Sequence, residues 1–127
     1  MPSDNTIAII GASSNREKFG NTAVLAYRDQ GFTVYPVNAR ADEIEGLKCY
    51  RDIRDIPGPV ETASVYLPPK LTLDVLDAIA EKKVNQVFLN PGSENEAVIE
   101  KANQLGLNII QGCSIIAAGK SPADYKE

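Results

Sequence analysis

Five short apolar runs, each stopped by a turn-forming residue and separated by crossovers long enough for helices, constrain this chain more than any other feature. The first, Thr6-Ile7-Ala8-Ile9-Ile10, is almost continuously apolar and ends at Gly11. A run without polar alternation belongs to a strand buried on both faces, as in a parallel sheet. The others are Thr33-Val34-Tyr35, ended by Pro36; Thr62-Ala63-Ser64-Val65-Tyr66-Leu67, broken by Pro68-Pro69; Gln86-Val87-Phe88-Leu89, stopped by Asn90-Pro91-Gly92; and Leu107-Asn108-Ile109-Ile110. Helices are predicted over residues 21–30, with Ala23, Val24 and Tyr27 on one face and Gly31 as the stop, and over 71–83, with Leu73, Leu76, Ala80 and Val84 as the core stripe. A third starts at the capping-box pair Ser93 and Glu96 and ends at Gly106. Residues 39–59 are the least regular, with a short helical turn expected at 51–55. The pattern predicts an α/β fold: a Rossmann-like, doubly wound five-stranded parallel sheet in three α/β/α layers, built outward from the first strand in the order 3-2-1-4-5. The 127 residues are read as one domain, 1–127, with a frayed tail at 120–127.

Composition matters here for what it excludes. The sequence has no histidine, which removes Ser-His-Asp and Cys-His catalysis, phosphohistidine chemistry and His-ligated metal. Cys49 and Cys113 are far apart, which fits neither a zinc site nor a redox pair. Neither a metal site nor a catalytic residue is assigned. The net charge of −4 shows no basic stripe for nucleic acid, no run reaches membrane-span length, and the first residues lack an export signal. A cytoplasmic protein with a small-molecule nucleotide ligand, rather than a nucleic-acid or membrane partner, is expected. Protein partners and self-association stay open.

In a doubly wound sheet ligands bind beyond the carboxyl ends of the strands at the switch point, expected between the first and fourth strands. The turn after the first strand reads Gly11-Ala12-Ser13-Ser14-Asn15-Arg16-Glu17-Lys18-Phe19-Gly20, where such folds bind phosphate. Gly11 permits the sharp turn, and a side chain there is expected to fill the phosphate's space. Ser13 and Ser14 offer hydroxyls, Lys18 a mobile cation, and Gly20 close approach; Arg16 is either a phosphate ligand or a solvated side chain. The dinucleotide fingerprint fails at Ser13, and the second strand ends in Pro36-Val37-Asn38-Ala39-Arg40 without the acid that bonds ribose hydroxyls. Arg40 suits a ribose phosphate, so charge alone leaves coenzyme A and NADP as competitors. Glycine at such a turn also serves backbone reasons without any ligand.

At Gly11-Ala12-Ser13, Tyr35-Pro36-Val37-Asn38, Pro68-Pro69 and Leu89-Asn90-Pro91-Gly92 the chain resembles the stand-alone CoA-binding domain family. That family is similar in fold to the amino-terminal domain of the succinyl-CoA synthetase α-subunit. The resemblance spans roughly residues 7–113 and implies coenzyme A or an acyl-CoA as ligand. It implies phosphate at the first turn, where Gly11, Ser13 and Lys18 take the role by position and Ala12, Ser14, Arg16 and Gly20 complete the candidate site, and the adenosine end at Pro36, Val37, Asn38 and Arg40. Pro68, Pro69, Asn90, Pro91 and Gly92 would wall the pantetheine arm. The synthetases act through a phosphorylated histidine in a further domain, and many family members carry basic residues or histidine where Ser114-Ile115-Ile116 follow Cys113. The implied role is a non-catalytic binding or regulatory module. The alternatives are an NADP-binding reductase-like protein and a ligand-free interaction module. Cys113 is read as a packing residue, Cys49 as cover for the sheet edge, and Glu94 and Glu96 as first-turn acids of a helix.

Overall fold

The computed structural model describes residues 5–117. Its elements run β1 (Thr6–Ile10), α1 (Phe19–Asp29), β2 (Thr33–Val37), β3 (Glu43–Ile44), β4 (Leu47–Lys48), a 3₁₀ turn Ile53–Asp55, β5 (Thr62–Val65), α2 (Pro69–Lys82), β6 (Gln86–Leu89), α3 (Glu96–Gln104), β7 (Ile109–Gln111) and α4 (Ser114–Ala117). The apolar opening run is buried at every position because β1 has a strand on each side and a layer on each face. Ile7 and Ile9 meet Ala23, Val24, Tyr27 and Ile115, from α1 and α4. Ala8 and Ile10 turn the other way, to Ile53, Leu76, Ile79 and Val98, from the 3₁₀ turn, α2 and α3. Burying each such aliphatic side chain stabilises by roughly 1.5–3 kcal/mol.

The α/β class is as predicted: five parallel strands between helical layers. The strand order is not. The sheet runs β2-β1-β5-β6-β7, or 2-1-3-4-5 counting its own strands, in place of 3-2-1-4-5. Both orders admit right-handed crossovers; they differ in the side of β1 that the third strand joins. β5 pairs with β1 from Ile7↔Thr62 to Ile10↔Val65 and leaves β2 at the edge. All four β5 positions are buried, as an interior strand needs. Pro36 lies inside β2 instead of ending it. The Pro36 carbonyl accepts from Tyr50 N–H and Asn38 N–H donates to Tyr50 O, so this stretch of backbone points outward and the missing proline donor falls on the edge. The switch point therefore lies between β1 and β5, not between the first and fourth strands.

Smaller departures follow from local bonds. Residues 43–48, within the irregular stretch, form a two-residue hairpin with Glu45 at φ 51° and Gly46 at φ 79°. Its Ile44 is buried, and it joins the α1-side core. Ser93 does not cap α3: Asn95 does, accepting from Val98 N at 2.9 Å, and Glu94 precedes the helix. α2 begins at Pro69, at the first helical position, where its fixed φ and missing donor cost least. The tail expected to fray, 120–127, lies outside the described residues.

Candidate functional site

A cleft of about 690 Å³ opens beyond the carboxyl ends of β1 and β5. One wall is the β1–α1 turn with Gly11, Ala12, Ser13, Lys18 and Gly20; the other is Pro68, Pro91 and Gly92, with Tyr66 and Leu67 between. α1 enters this cleft by its amino terminus. Its N-cap, Lys18, has extended backbone, makes no side-chain capping bond, and no acid stands in the first turn. The amides of Asn21 and Thr22 donate to Lys18 O at 3.1 and 3.2 Å, and the dipole of this 11-residue helix favours an anion at its amino terminus.

The glycines of this turn act through close backbone approach. Gly11 has φ 92°, and a Cβ there would lie 2.8 Å from Tyr66 O. A Cβ on Gly20 would lie 2.3 Å from Gly11 O. The expectation that a side chain at Gly11 would fill the phosphate's space is thus corrected: that space belongs to the Tyr66 carbonyl, brought there by the β1–β5 pairing. The amides of Gly11 and Ala12 are spent on Val37 O, at 3.0 and 3.2 Å. Ser13 Oγ accepts from Asn15 N at 3.0 Å, and Asn15 Oδ1 accepts from Glu17 N at 2.9 Å, so the turn is ordered by its own short polar side chains.

Arg16 turns away from the cleft. Its Nε and Nη2 donate to the Glu45 carboxylate, each at 3.2 Å, and Asn21 Nδ2 joins them at 2.8 Å. The hydrogen bonds from Asn21 and Arg16 hold the Glu45 carboxyl below its ordinary pKa.

Gly11, Lys18, Asn38, Leu67 and Leu71 also border a second lobe of about 510 Å³, lined further by Val37, Arg40, Arg51 and Asp74. Asn38 ties the two turns together: its Nδ2 donates to Ala12 O at 2.8 Å and its Oδ1 accepts from Arg40 N and Ala41 N at 2.7 and 3.1 Å. Arg51 donates to Ala39 O at 3.1 Å and pairs with Asp42 at 2.9 Å, bracing the loop that carries Arg40.

On the opposite wall the polar groups are already used. Asn90, 1% exposed, donates through Nδ2 to Ser64 Oγ and Val65 O, both at 2.8 Å, and accepts from Ser114 N at 2.8 Å. Ser93 Oγ donates to Val65 O at 2.9 Å. Ser114 Oγ bonds Ser64 Oγ at 2.7 Å and Tyr66 OH at 2.8 Å, and its carbonyl accepts from Tyr27 OH at 2.6 Å. Burial pushes the Tyr27 phenol up to about 12 and raises that of Tyr66 as well, so both stay neutral.

Of the residues expected from sequence, Gly11, Ala12, Ser13, Lys18, Gly20, Asn38, Pro68, Pro91 and Gly92 line the first lobe, and Val37 and Arg40 the second. Ser14, Arg16, Pro36, Pro69 and Asn90 line neither. Ser14 faces solvent, Arg16 is held by Glu45, Pro36 is inside β2, Pro69 begins α2, and Asn90 belongs to the buried knot. Sequence reading missed Tyr66, Leu67, Phe19, Leu71 and Arg51. Phe19 and Leu71 are large apolar side chains 54% and 47% exposed at helix starts facing the cleft; the helix starts predicted at 21 and 71 leave Phe19 outside its helix and Leu71 at the boundary. Cys49 is buried against the α1-side core and Cys113 is partly buried beside it. Among the described residues no cluster of acids and cysteines could hold a metal ion, and no helix is long and apolar enough to cross a membrane.

The profile of the CoA binding domain family matches residues 5–119. The alpha subunit of an ADP-forming acetate–CoA ligase II from Pyrococcus furiosus is 33% identical over 115 residues, 82% of this chain and 25% of the ligase subunit. Among solved structures, a conserved hypothetical protein from Pyrococcus furiosus superposes with a TM-score of 0.83 at 35% identity, covering 89% of this chain and 98% of that one. A dinucleotide-forming acetyl-coenzyme A synthetase 1 from Ca. Korarchaeum cryptofilum, solved with phosphate and ADP, superposes with a TM-score of 0.74 at 29% identity over 84% of this chain and 25% of the synthetase. This chain thus spans 25% of that ligase subunit and 17% of an ADP-forming acetate–CoA ligase II from Archaeoglobus fulgidus. By profile, sequence and fold it belongs to the CoA binding domain family.

Proposed function

We propose that this chain binds coenzyme A or an acyl-CoA as a non-catalytic binding or regulatory module. The observation that carries the reading is the amino terminus of α1, with no side-chain cap and no acid in its first turn, opening onto a two-lobed cleft. A pyrophosphate at the α1 terminus would meet Lys18 and the positive end of the helix dipole. The adenosine ribose, with its phosphate, would then extend towards Arg40 in the second lobe. The pantetheine arm would leave along the apolar wall of Leu67, Pro68 and Pro91. The chain has no histidine, and the Tyr66 hydroxyl at the cleft is bonded to the buried Ser114 Oγ; this supports binding rather than turnover. Both cysteines are free thiols, which suits a reducing compartment, and the cytoplasm is the proposed location.

Calorimetric titration with CoA, acetyl-CoA, dephospho-CoA and NADP tests the reading. Saturable CoA binding tighter than NADP binding supports it. Binding of NADP alone, or of none of the four, overturns it. Saturation at ~100 times the dissociation constant should also stabilise the fold by about 2.7 kcal/mol.

A further inference from the structure

Taking the β1–α1 turn as the phosphate site of that reading, we propose that Glu45, at the tip of the β3–β4 hairpin, is the positioning residue that holds the turn in its binding conformation. The observation is a carboxylate with three side-chain donors, placed where the backbone least favours it. Glu45 has φ 51° and is followed by Gly46 at φ 79°. Two consecutive left-handed residues in a two-residue hairpin are the positions that asparagine, aspartate and glycine fill most readily. A hairpin that only needed to turn would be better served by asparagine here, so the carboxylate has another use.

That use is visible in its partners. Arg16, in the middle of the phosphate turn, grips both carboxylate oxygens at 3.2 Å. Asn21, 1% exposed in the first turn of α1, gives Nδ2 to Glu45 at 2.8 Å and also to Ser13 O at 2.9 Å. The Glu45 carbonyl accepts from Arg28 Nη1 at 2.9 Å, fixing the hairpin tip to the far end of the same helix. One side chain, 11% exposed, therefore holds the turn directly at Arg16 and, through Asn21, at Ser13. These are the residues flanking the backbone that must face the anion, and a strained residue retained at such a junction marks a constraint beyond folding.

The test is Glu45→Asn, which suits the hairpin backbone and removes the carboxylate. The variant should melt at or above the wild-type temperature. In ligand-free protein, amide exchange at residues 13–18 should quicken. CoA should bind about tenfold more weakly, with pantetheine, which lacks phosphates, unchanged. Arg16→Ala should reproduce the loss, and the double variant should be no worse than either single one. Unchanged exchange at residues 13–18, equal losses for CoA and pantetheine, or CoA binding as tight as wild type would each overturn the proposal. Tighter CoA binding would instead make Glu45 a competitor for Arg16. Wild-type protein that takes up no CoA overturns the parent reading, and the exchange measurement, which uses no ligand, still decides whether Glu45 orders the turn.

Discussion

The turns after β1 and β6 stand on the same sheet edge, on opposite walls of the cleft, and carry similar residues: Gly11, Ser13 and Asn15 in one, Asn90, Gly92, Ser93 and Asn95 in the other. Their polar groups end up in different places. After β6, Asn90 and Ser93 turn inward to β5 and to the start of α4, and Asn95 caps its helix. After β1, the small polar side chains order only their own turn, and α1 is left without a side-chain cap. Composition does not separate a binding turn from a structural one. The separation depends on whether the fold already supplies each polar group with a partner. Four substitutions test that contrast.

The largest effect is expected at Gly11, whose demand is internal although it lies in the binding turn. Gly11→Ala needs a left-handed residue with a Cβ 2.8 Å from Tyr66 O. The conformation alone costs about 1–2 kcal/mol, and the clash adds to it. Urea denaturation should show a total loss of about 3 kcal/mol. A variant of wild-type stability that has lost CoA would mean the glycine serves the ligand directly.

Asn90→Ala should come next. It strands Ser114 N–H and removes the Nδ2 donor to Ser64 Oγ and Val65 O in a buried site. Ser64 Oγ keeps Ser114 Oγ and Val65 O keeps Ser93 Oγ, so the stranded Ser114 N–H sets a loss of about 1–3 kcal/mol, with CoA affinity of the folded fraction little changed. A large affinity loss at full stability would move Asn90 back into the site.

Lys18→Ala reverses the pattern. Lys18 is exposed and caps nothing through its side chain, so thermal stability should hold. CoA should weaken about tenfold, as expected for one charged hydrogen bond to phosphate, while pantetheine is unaffected. Equal behaviour towards the two ligands would make Lys18 an ordinary surface cation.

The same contrast explains what could be read from the sequence. The strands and the first turn were legible because burial on both faces leaves an unbroken apolar run, and a glycine closes it. The strand order was not, since hydrophobic period says nothing about which edge a strand joins. Pro36 held the missing clue: a strand that contains proline belongs at an edge, which rules out an order with the second strand inside. Asn90 and Pro91 are adjacent in sequence, yet one is buried and the other lines the cleft. Only the position of β5 and α4 decides that. Arg16 was ambiguous for a similar reason, because its partner Glu45 lies 29 residues away on an unforeseen hairpin.

Arg40 is the smallest effect and the one most specific to the ligand. Asp42, its nearest acid in sequence, is occupied by Arg51 at 2.9 Å. Among the described residues the Arg40 guanidinium has no carboxylate partner, while its backbone N–H is fixed by Asn38 Oδ1 at 2.7 Å. A fixed backbone with an uncommitted fork suits a cation held for a phosphate in the second lobe. Arg40→Ala should therefore weaken CoA about three- to tenfold and leave dephospho-CoA, which lacks the ribose phosphate, as it was. That corresponds to a coupling of about 1 kcal/mol for a solvent-screened contact. Arg51→Ala is the control, since it loosens the loop without removing the Arg40 charge, and it should weaken both ligands alike. If Arg51 discriminates between them and Arg40 does not, the ribose phosphate sits against Arg51, and the ion pair with Asp42 must open when CoA binds.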